Sequence, residues 1–264
     1  MEIKGCTVLV TGAGSGIGEA TAKYFANRGS KVVVVDLEQA HADRVVKDIK
    51  EAGGEAIGVQ ADVTSESDTA KFIKAALAAF GQLNIAVSCA GIIHDGNMLN
   101  LDKKTGKVSR KMALEKWRSV VDVNLTGTFL TMRDAAEAMV NGGWEGLLVP
   151  ISSVNKAGQI GQLNYCSTKV AVALMPKIIV GEILMRGITN IRCVGIAPGY
   201  TATPMLTGMN QDALKTLLAD VPIGRLVEPG EVASLIAHCA ENNALNATTI
   251  EITGGLCNSH GVAK

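Results

Sequence analysis

Short β-branched runs alternate with longer helical stretches along nearly the whole chain. The pattern predicts strands at Thr7–Thr11, Lys31–Asp36, Ala56–Gln60, Asn84–Ser88, Gly146–Ile151, Ile191–Ile196 and Thr249–Ile252. It predicts helices near Gly16–Arg28, Gln39–Ala52, Glu66–Phe80, Ala113–Val140, Tyr165–Met185 and Pro229–Glu241. Val- and Ile-rich strands separated by helices imply a parallel sheet covered on both faces. The expected fold is therefore α/β, a doubly wound domain with seven parallel strands. No linker, repeat or low-complexity segment divides residues 1–264, so one domain is expected.

Two regions break this rhythm. His94–Lys111 is polar and rich in Lys, Asn, Asp and Gly, and reads as a surface loop longer than usual. Gly199–Ala219 follows a strand, contains Pro204 and ends in a helical pattern, which suits a lid over a substrate site. Pro176 falls inside a predicted helix and should kink it or free a carbonyl.

Composition narrows the function classes. The 264 residues are 47% hydrophobic but only 3% aromatic, so a sizeable core must be built from aliphatic side chains. Lys plus Arg and Asp plus Glu both count 25, which gives no basic field for nucleic acid or an acidic membrane. That low charge suggests surface covered by other subunits. Cys6, Cys89, Cys166, Cys193, Cys239 and Cys257 show neither zinc nor redox-dithiol spacing and read as small apolar residues in a reducing compartment. The N-terminus has no apolar signal core and no stretch is long enough to span a membrane, so a soluble, cytoplasmic protein is expected. His41, His94, His238 and His260 share no metal-ligand spacing, and no metal is expected. Of these, His94 stands near the expected site rim. Trp117 and Trp144 read as packing. Lys103-Lys104 and Arg110-Lys111 read as a solvated face, with docking of an acidic acyl carrier as a minor alternative.

Candidate chemistry begins at Thr11-Gly12-Ala13-Gly14-Ser15-Gly16-Ile17-Gly18, between the first strand and its helix. Glycines there let a pyrophosphate approach a helix N-terminus, the opening of a Rossmann dinucleotide site. Asp36 closes the second strand, where a carboxylate meets the adenosine ribose hydroxyls and repels a 2′-phosphate. NAD(H) is thus expected over NADP(H). Asp62-Val63 and Cys89-Ala90-Gly91 follow the third and fourth strands and are expected to support the cofactor.

Tyr165 and Lys169 lie four apart on one helix face. A free tyrosine, with a pKa of about 10, is a poor base at neutral pH, and a nearby ammonium favours its phenolate. Ser152-Ser153 ends the preceding strand and Asn124 lies within a long helix. Together with Pro198-Gly199, these residues resemble the short-chain dehydrogenase/reductase family from about Ile3 to Leu256.

The resemblance implies Tyr165 as general acid and base, Lys169 on the nicotinamide ribose, Ser153 on the substrate oxygen, and Asn124 holding a water that links Lys169 to solvent. It implies cofactor contacts from Gly12, Ser15, Gly16, Ile17, Gly18, Asp36, Asp62, Val63, Ala90, Gly91, Pro198, Gly199 and Thr203, with Tyr165 and Lys169. It also implies a homotetramer built on the Asn124 and Tyr165 helices. Two departures stand out. The family's Asn-Asn-Ala-Gly reads Ser88-Cys89-Ala90-Gly91, and the commoner Ser–Tyr interval would select Ser152 instead of Ser153. Asn155–Tyr165, Val221–Pro229 and Thr253–Leu256 resemble the 3-oxoacyl-thioester reductase branch. The implied substrates are 3-oxoacyl or 3-hydroxyacyl thioesters. The alternatives are another secondary alcohol (steroid, polyol or cyclic) and a non-catalytic NAD sensor.

Overall fold

The computed structural model describes residues 1–208 and 211–256; Cys257 and His260 lie outside them. Seven parallel strands form one sheet in the order β3-β2-β1-β4-β7-β8-β9. They are β1 (Thr7–Thr11), β2 (Lys31–Asp36), β3 (Glu55–Gln60), β4 (Ile85–Ser88), β7 (Gly146–Pro150), β8 (Ile191–Pro198) and β9 (Thr248–Ile252). The order reverses direction between β1 and β4, the switch point at which ligands enter open α/β sheets.

The pleat sorts each strand's side chains between two cores. Val8, Val10, Val32, Val34, Val87, Val149 and Ile196 face one side. There they meet α1 (Gly16–Asn27), α2 (Gln39–Glu51) and α9 (Pro229–Glu241), through Phe25, Val45 and Ile236 among others. Leu9, Val33, Val35, Ala86, Leu148 and Cys193 face the other. Here they meet α3 (Glu66–Phe80), α5 (Gly127–Gly142) and α6 (Leu163–Leu184), through Phe72, Met132, Met139 and Ile183. Helices therefore cover both faces, as the Val-rich runs predict.

Three elements differ from the sequence pattern. The helix expected at Ala113–Val140 is α4 (Leu114–Val121), then a π turn at Asp122–Thr126, then α5. Apolar spacing cannot register one extra residue in a turn. At Gly127 a side chain would meet Val63 Cγ2 at 2.7 Å, so this rod lies directly on the turn after β3. The polar stretch His94–Lys111, expected as a loop, folds into an antiparallel hairpin of β5 (Leu99–Leu101) and β6 (Val108–Lys111). Its strands are too short to show alternation. Asp102 Oδ1 accepts from the Lys104 and Thr105 N–H groups, and Gly106 takes φ 67°, which closes the turn. Lastly, the segment after β8 holds two short helices, α7 (Pro204–Thr207) and α8 (Gln211–Leu218).

Pro176 is buried within α6. A side chain at Gly195 on β8 would stand 3.2 Å from its ring. Thr249 Oγ1 donates to the Ala173 carbonyl at 2.7 Å, tying the helix to β9 beside the proline's missing N–H.

No helix among the described residues is long and apolar enough to cross a membrane. None of the five described cysteines is in a disulfide.

Arg192 joins the sheet to α9. Its buried guanidinium donates to the carbonyls of Cys239, Ala240 and Leu245 at 2.7–2.8 Å, and so satisfies groups that a helix C-terminus leaves open. Arg192→Leu strands the Cys239 and Leu245 carbonyls, while Ala240 O keeps the N-terminal ammonium at 2.9 Å; the cost is about 3 kcal/mol. The thermal midpoint is expected to fall by roughly 6–12 °C in calorimetry; an unchanged midpoint would remove this role.

Candidate active site

After Thr11 the chain turns through Gly12 (φ 61°) into α1. A side chain at Gly12 would stand 2.8 Å from the Ala90 N and Cα atoms, and one at Gly18 would stand 2.2 Å from the Gly12 carbonyl oxygen. Backbone therefore lies against backbone, as only glycine permits. Ser15, at the N-cap of α1, makes no side-chain cap, which leaves first-turn N–H groups open to the cleft beyond.

That cleft, of about 380 Å³, is lined by Gly12, Ser15, Gly16, Ile17, Gly18, Asp36, Asp62, Val63, Ala90, Gly91 and Thr203, among others. Open amides beside a helix N-terminus, with a carboxylate at the far end, fit a pyrophosphate and an adenosine ribose. Asp36 Oδ2 accepts from Gly14 N at 2.8 Å and Oδ1 from Glu38 N at 3.1 Å, which fixes the carboxylate at this edge. The nearby cation Arg44 is engaged by Glu19, with contacts of 2.6 and 2.9 Å. That guanidinium and Lys23 hold the Glu19 carboxyl down at about 2.

A second cleft of about 620 Å³ shares Ile17, Cys89, Gly91 and Thr203 with the first. Tyr165, Lys169, Ser153, Pro198 and Gly199 line it. Burial pushes the Tyr165 phenol's pKa up, and Ser153, which lines the same cleft, opposes that shift in part. Lys169 is 5% exposed; its Nζ donates to the Ile151 carbonyl at 2.8 Å and sits 5.5 Å from the Tyr165 ring centre. Burial lowers its pKa to about 8. In the chain alone, desolvation thus dominates at the phenol, against the lowering expected from the Tyr–Lys spacing. The two serines are separated by their partners. Ser152 Oγ donates to the Lys169 carbonyl at 2.6 Å, whereas Ser153 Oγ accepts from Asn155 N at 3.1 Å and lowers the phenol's pKa against the effect of burial; both serines are buried in the cleft wall.

Asn124 is fully buried in the π turn. Its Oδ1 accepts from Ile92 N at 2.8 Å and its Nδ2 donates to Ile92 O at 3.0 Å. The amide is thus a clamp on the turn after β4. Cys89, in place of the family's amide, lines both clefts, and burial holds its thiol at about 12. His94 lies outside the second cleft's lining, with Nδ1 3.3 Å from Ser119 Oγ. A further groove of about 590 Å³ lies between α3 and α5, away from the glycine turn.

Residues 6–214 match the family model for short chain dehydrogenases. The chain belongs to the short-chain dehydrogenase family. It is 33% identical over 266 residues to human (3R)-3-hydroxyacyl-CoA dehydrogenase, covering 97% of each chain. It is 34% identical over 252 residues to the 2,5-dichloro-2,5-cyclohexadiene-1,4-diol dehydrogenase LinX of Sphingobium indicum, covering 95% of each. The crystal structure of gox2181 shares the fold, with a TM-score of 0.85 at 24% identity over 96% of each chain. This dehydrogenase is an oxidoreductase acting on secondary alcohols, of a family that uses NAD(P)(H).

Sequence reasoning missed part of this dehydrogenase's second cleft. Asn155 Nδ2 donates to Gln162 Oε1 at 2.9 Å and Gln162 Nε2 donates to Asp95 Oδ2 at 3.1 Å, forming a polar rim beside Tyr165. Asn164, fully buried, donates to the His94 carbonyl at 3.0 Å and so joins α6 to the loop carrying that rim. Within Asn155–Tyr165, the density of amide side chains was the only available signal.

Asn124→Ala would leave the Ile92 N–H and carbonyl without their buried partner, at a cost of about 2 kcal/mol. A midpoint lower by roughly 4–8 °C is expected in thermal denaturation, together with weaker dinucleotide binding. Unchanged stability would remove the clamp.

Proposed function

We propose that this dehydrogenase interconverts 3-oxoacyl and 3-hydroxyacyl thioesters using NAD(H), with Tyr165 as general acid in reduction and base in oxidation. The observation carrying this reading is the Tyr165 phenol beside Ser153 and Lys169, in a cleft continuous with the glycine-lined one. Gly12, Ser15, Gly16, Ile17 and Gly18 would hold the pyrophosphate. Asp36 would hold the adenosine ribose, and Asp62, Val63, Ala90, Gly91 and Thr203 would flank the dinucleotide. Lys169, Pro198 and Gly199 would border its nicotinamide end. When bound, the nicotinamide supplies or accepts the hydride.

Ser153 orients the substrate oxygen towards the phenol, and Tyr165 delivers or removes the proton at that oxygen. Lys169 places a positive charge beside the phenol, and an adjacent cation favours the phenolate form. Asn124 acts by holding Gly91–Ile92 in place, and its main-chain carbonyl, which accepts from Thr128 Oγ1 at 2.8 Å, would take a water on its second lone pair. NAD(H) is favoured because Asp36 would repel a 2′-phosphate while Arg44, committed to Glu19, is not free to receive one.

We read residues 1–264 as one domain and residues 199–219 as a lid, since Tyr200, Thr201, Leu206 and Leu217 line the substrate cleft. We also read the protein as a cytoplasmic homotetramer. Val170, Leu174 and Ile178 leave an apolar row exposed on α6, with Phe129 exposed on α5. Sedimentation at the mass of four chains is expected; a monomer would end that reading.

A cyclic secondary alcohol is the second reading. The polar Asp95–Gln162–Asn155 rim and the cyclic-diol relative favour it. Parallel assays with acetoacetyl-CoA and a cyclohexanediol, each with NAD(H) and NADP(H), decide between them. Turnover of the thioester with NADH is expected, at least tenfold faster than with NADPH, and Asp36→Ala should shrink that preference. Tyr165→Phe should lower turnover by roughly 10²–10⁴-fold while leaving NADH affinity nearly unchanged. Activity confined to the cyclic alcohol would replace the thioester reading, and a preference for NADPH would overturn the role of Asp36.

A further inference from the structure

A small hollow of about 150 Å³ lies where the β5–β6 hairpin meets α4, outside both clefts. Arg110, Lys111 and Lys116 line it with the amides of Asn97 and Asn100, and no carboxylate does. Ala113, also in its wall, is the N-cap of α4 and offers no side-chain cap, so that helix's first N–H groups remain open.

The surrounding chain strengthens the field. From Asp102 to Arg118 there are seven cations and two acids, in a protein whose formal net charge is zero. Asp102 is committed to its own turn, where the N–H groups of Lys104 and Thr105 hold its carboxyl below the usual range. Among the described residues, Lys103, Lys104, Lys107, Arg110 and Lys111 form no ion pair. Uncompensated charge gathered around a concave site is a receptor for an anion.

The hollow also adjoins the substrate cleft. Gly96 N donates to the Gly161 carbonyl at 2.7 Å, Lys116 Nζ donates to the Asp95 carbonyl, and Asp95 joins Gln162 at the cleft's rim. The hairpin base is thus fastened to the mouth through which a bound thioester would lead its carrier.

We propose that this hollow and the basic hairpin above it bind the phosphate end of coenzyme A, so that the substrate is a coenzyme A thioester; this rests on the thioester reading above. The concavity favours that source over a protein carrier, since about 150 Å³ receives a phosphate group but not a helix. Arg110 and Lys111 supply the charge, and the Asn97 and Asn100 amides can donate to the same oxygens.

The test compares acetoacetyl-CoA with acetoacetyl-N-acetylcysteamine, which has the same reacting carbons and no phosphate, in the wild type and in Arg110→Glu/Lys111→Glu. The wild type is expected to favour the coenzyme A ester by about tenfold or more in kcat/KM, lessening with salt. The variant should lose that preference through KM while handling the truncated ester as before. Adenosine 3′,5′-bisphosphate, titrated with NAD⁺ saturating, should bind the wild type and not the variant. Equal use of both esters by the wild type, or an equal loss on both in the variant, overturns the proposal and leaves the thioester function standing. A variant impaired only on an acyl-carrier-protein ester assigns the hairpin to a protein partner and likewise overturns it. Failure of both thioesters removes the underlying function, and the proposal with it. Lys103→Glu/Lys104→Glu, at the hairpin turn, repeats the comparison should the first variant not fold.

Discussion

The cleft end of this dehydrogenase depends on how closely two turns can approach. The turn after β1 touches the turn after β4 through Gly12 and Ala90, with no room for a side chain between them. These strands flank the switch point of the sheet, so helices leave them in opposite directions and a crevice opens above. A wider gap would move the amides of the glycine turn away from Gly91, and the two clefts would no longer share a wall. Asn124 maintains the approach from the β4 side, because its amide takes both the N–H and the carbonyl of Ile92.

Burial then sets the electrostatics. Lys169 is enclosed with one carbonyl partner, and the cost of its charge appears as a pKa near the working range. Tyr165 suffers the opposite displacement, since the same enclosure penalises a phenolate. The pair is thereby poised with the proton on oxygen and a weakly held proton on nitrogen. Ser153 offsets part of the penalty at the phenol, and Ser152 contributes by pinning the helix backbone at Lys169.

How much of this was legible follows from what each signal depends on. The inner strands announce themselves because both of their faces are buried, and the glycine turn because backbone contact excludes every other residue. Tyr165 and Lys169 stand on one face because helical geometry fixes four-residue spacing. The choice between Ser152 and Ser153 could not come from counting, because the loop before α6 absorbs differences in length. Their partners differ, Lys169 O for Ser152 and Asn155 N for Ser153. The hairpin at 99–111 hid behind its polarity, and the Asp95–Gln162–Asn155 rim hid because it joins residues some sixty positions apart that share no periodicity. The desolvation of Tyr165 could not be read at all, since burial is a property of the assembled cleft.

The π turn at Asp122–Thr126 has a bearing on how this region can change over time. It holds one residue beyond helical need, so everything after it is rotated by about 100° from where an unbroken helix would set it. Met132, Ala135 and Met139 meet the sheet only because of that offset. Removing any single residue there would restore plain helix, turn those side chains off their strands and carry Asn124 away from Ile92. Exchanges of residue type alter contacts one at a time, whereas an altered count rewrites the whole face at once. This stretch of chain can vary its letters far more readily than its length.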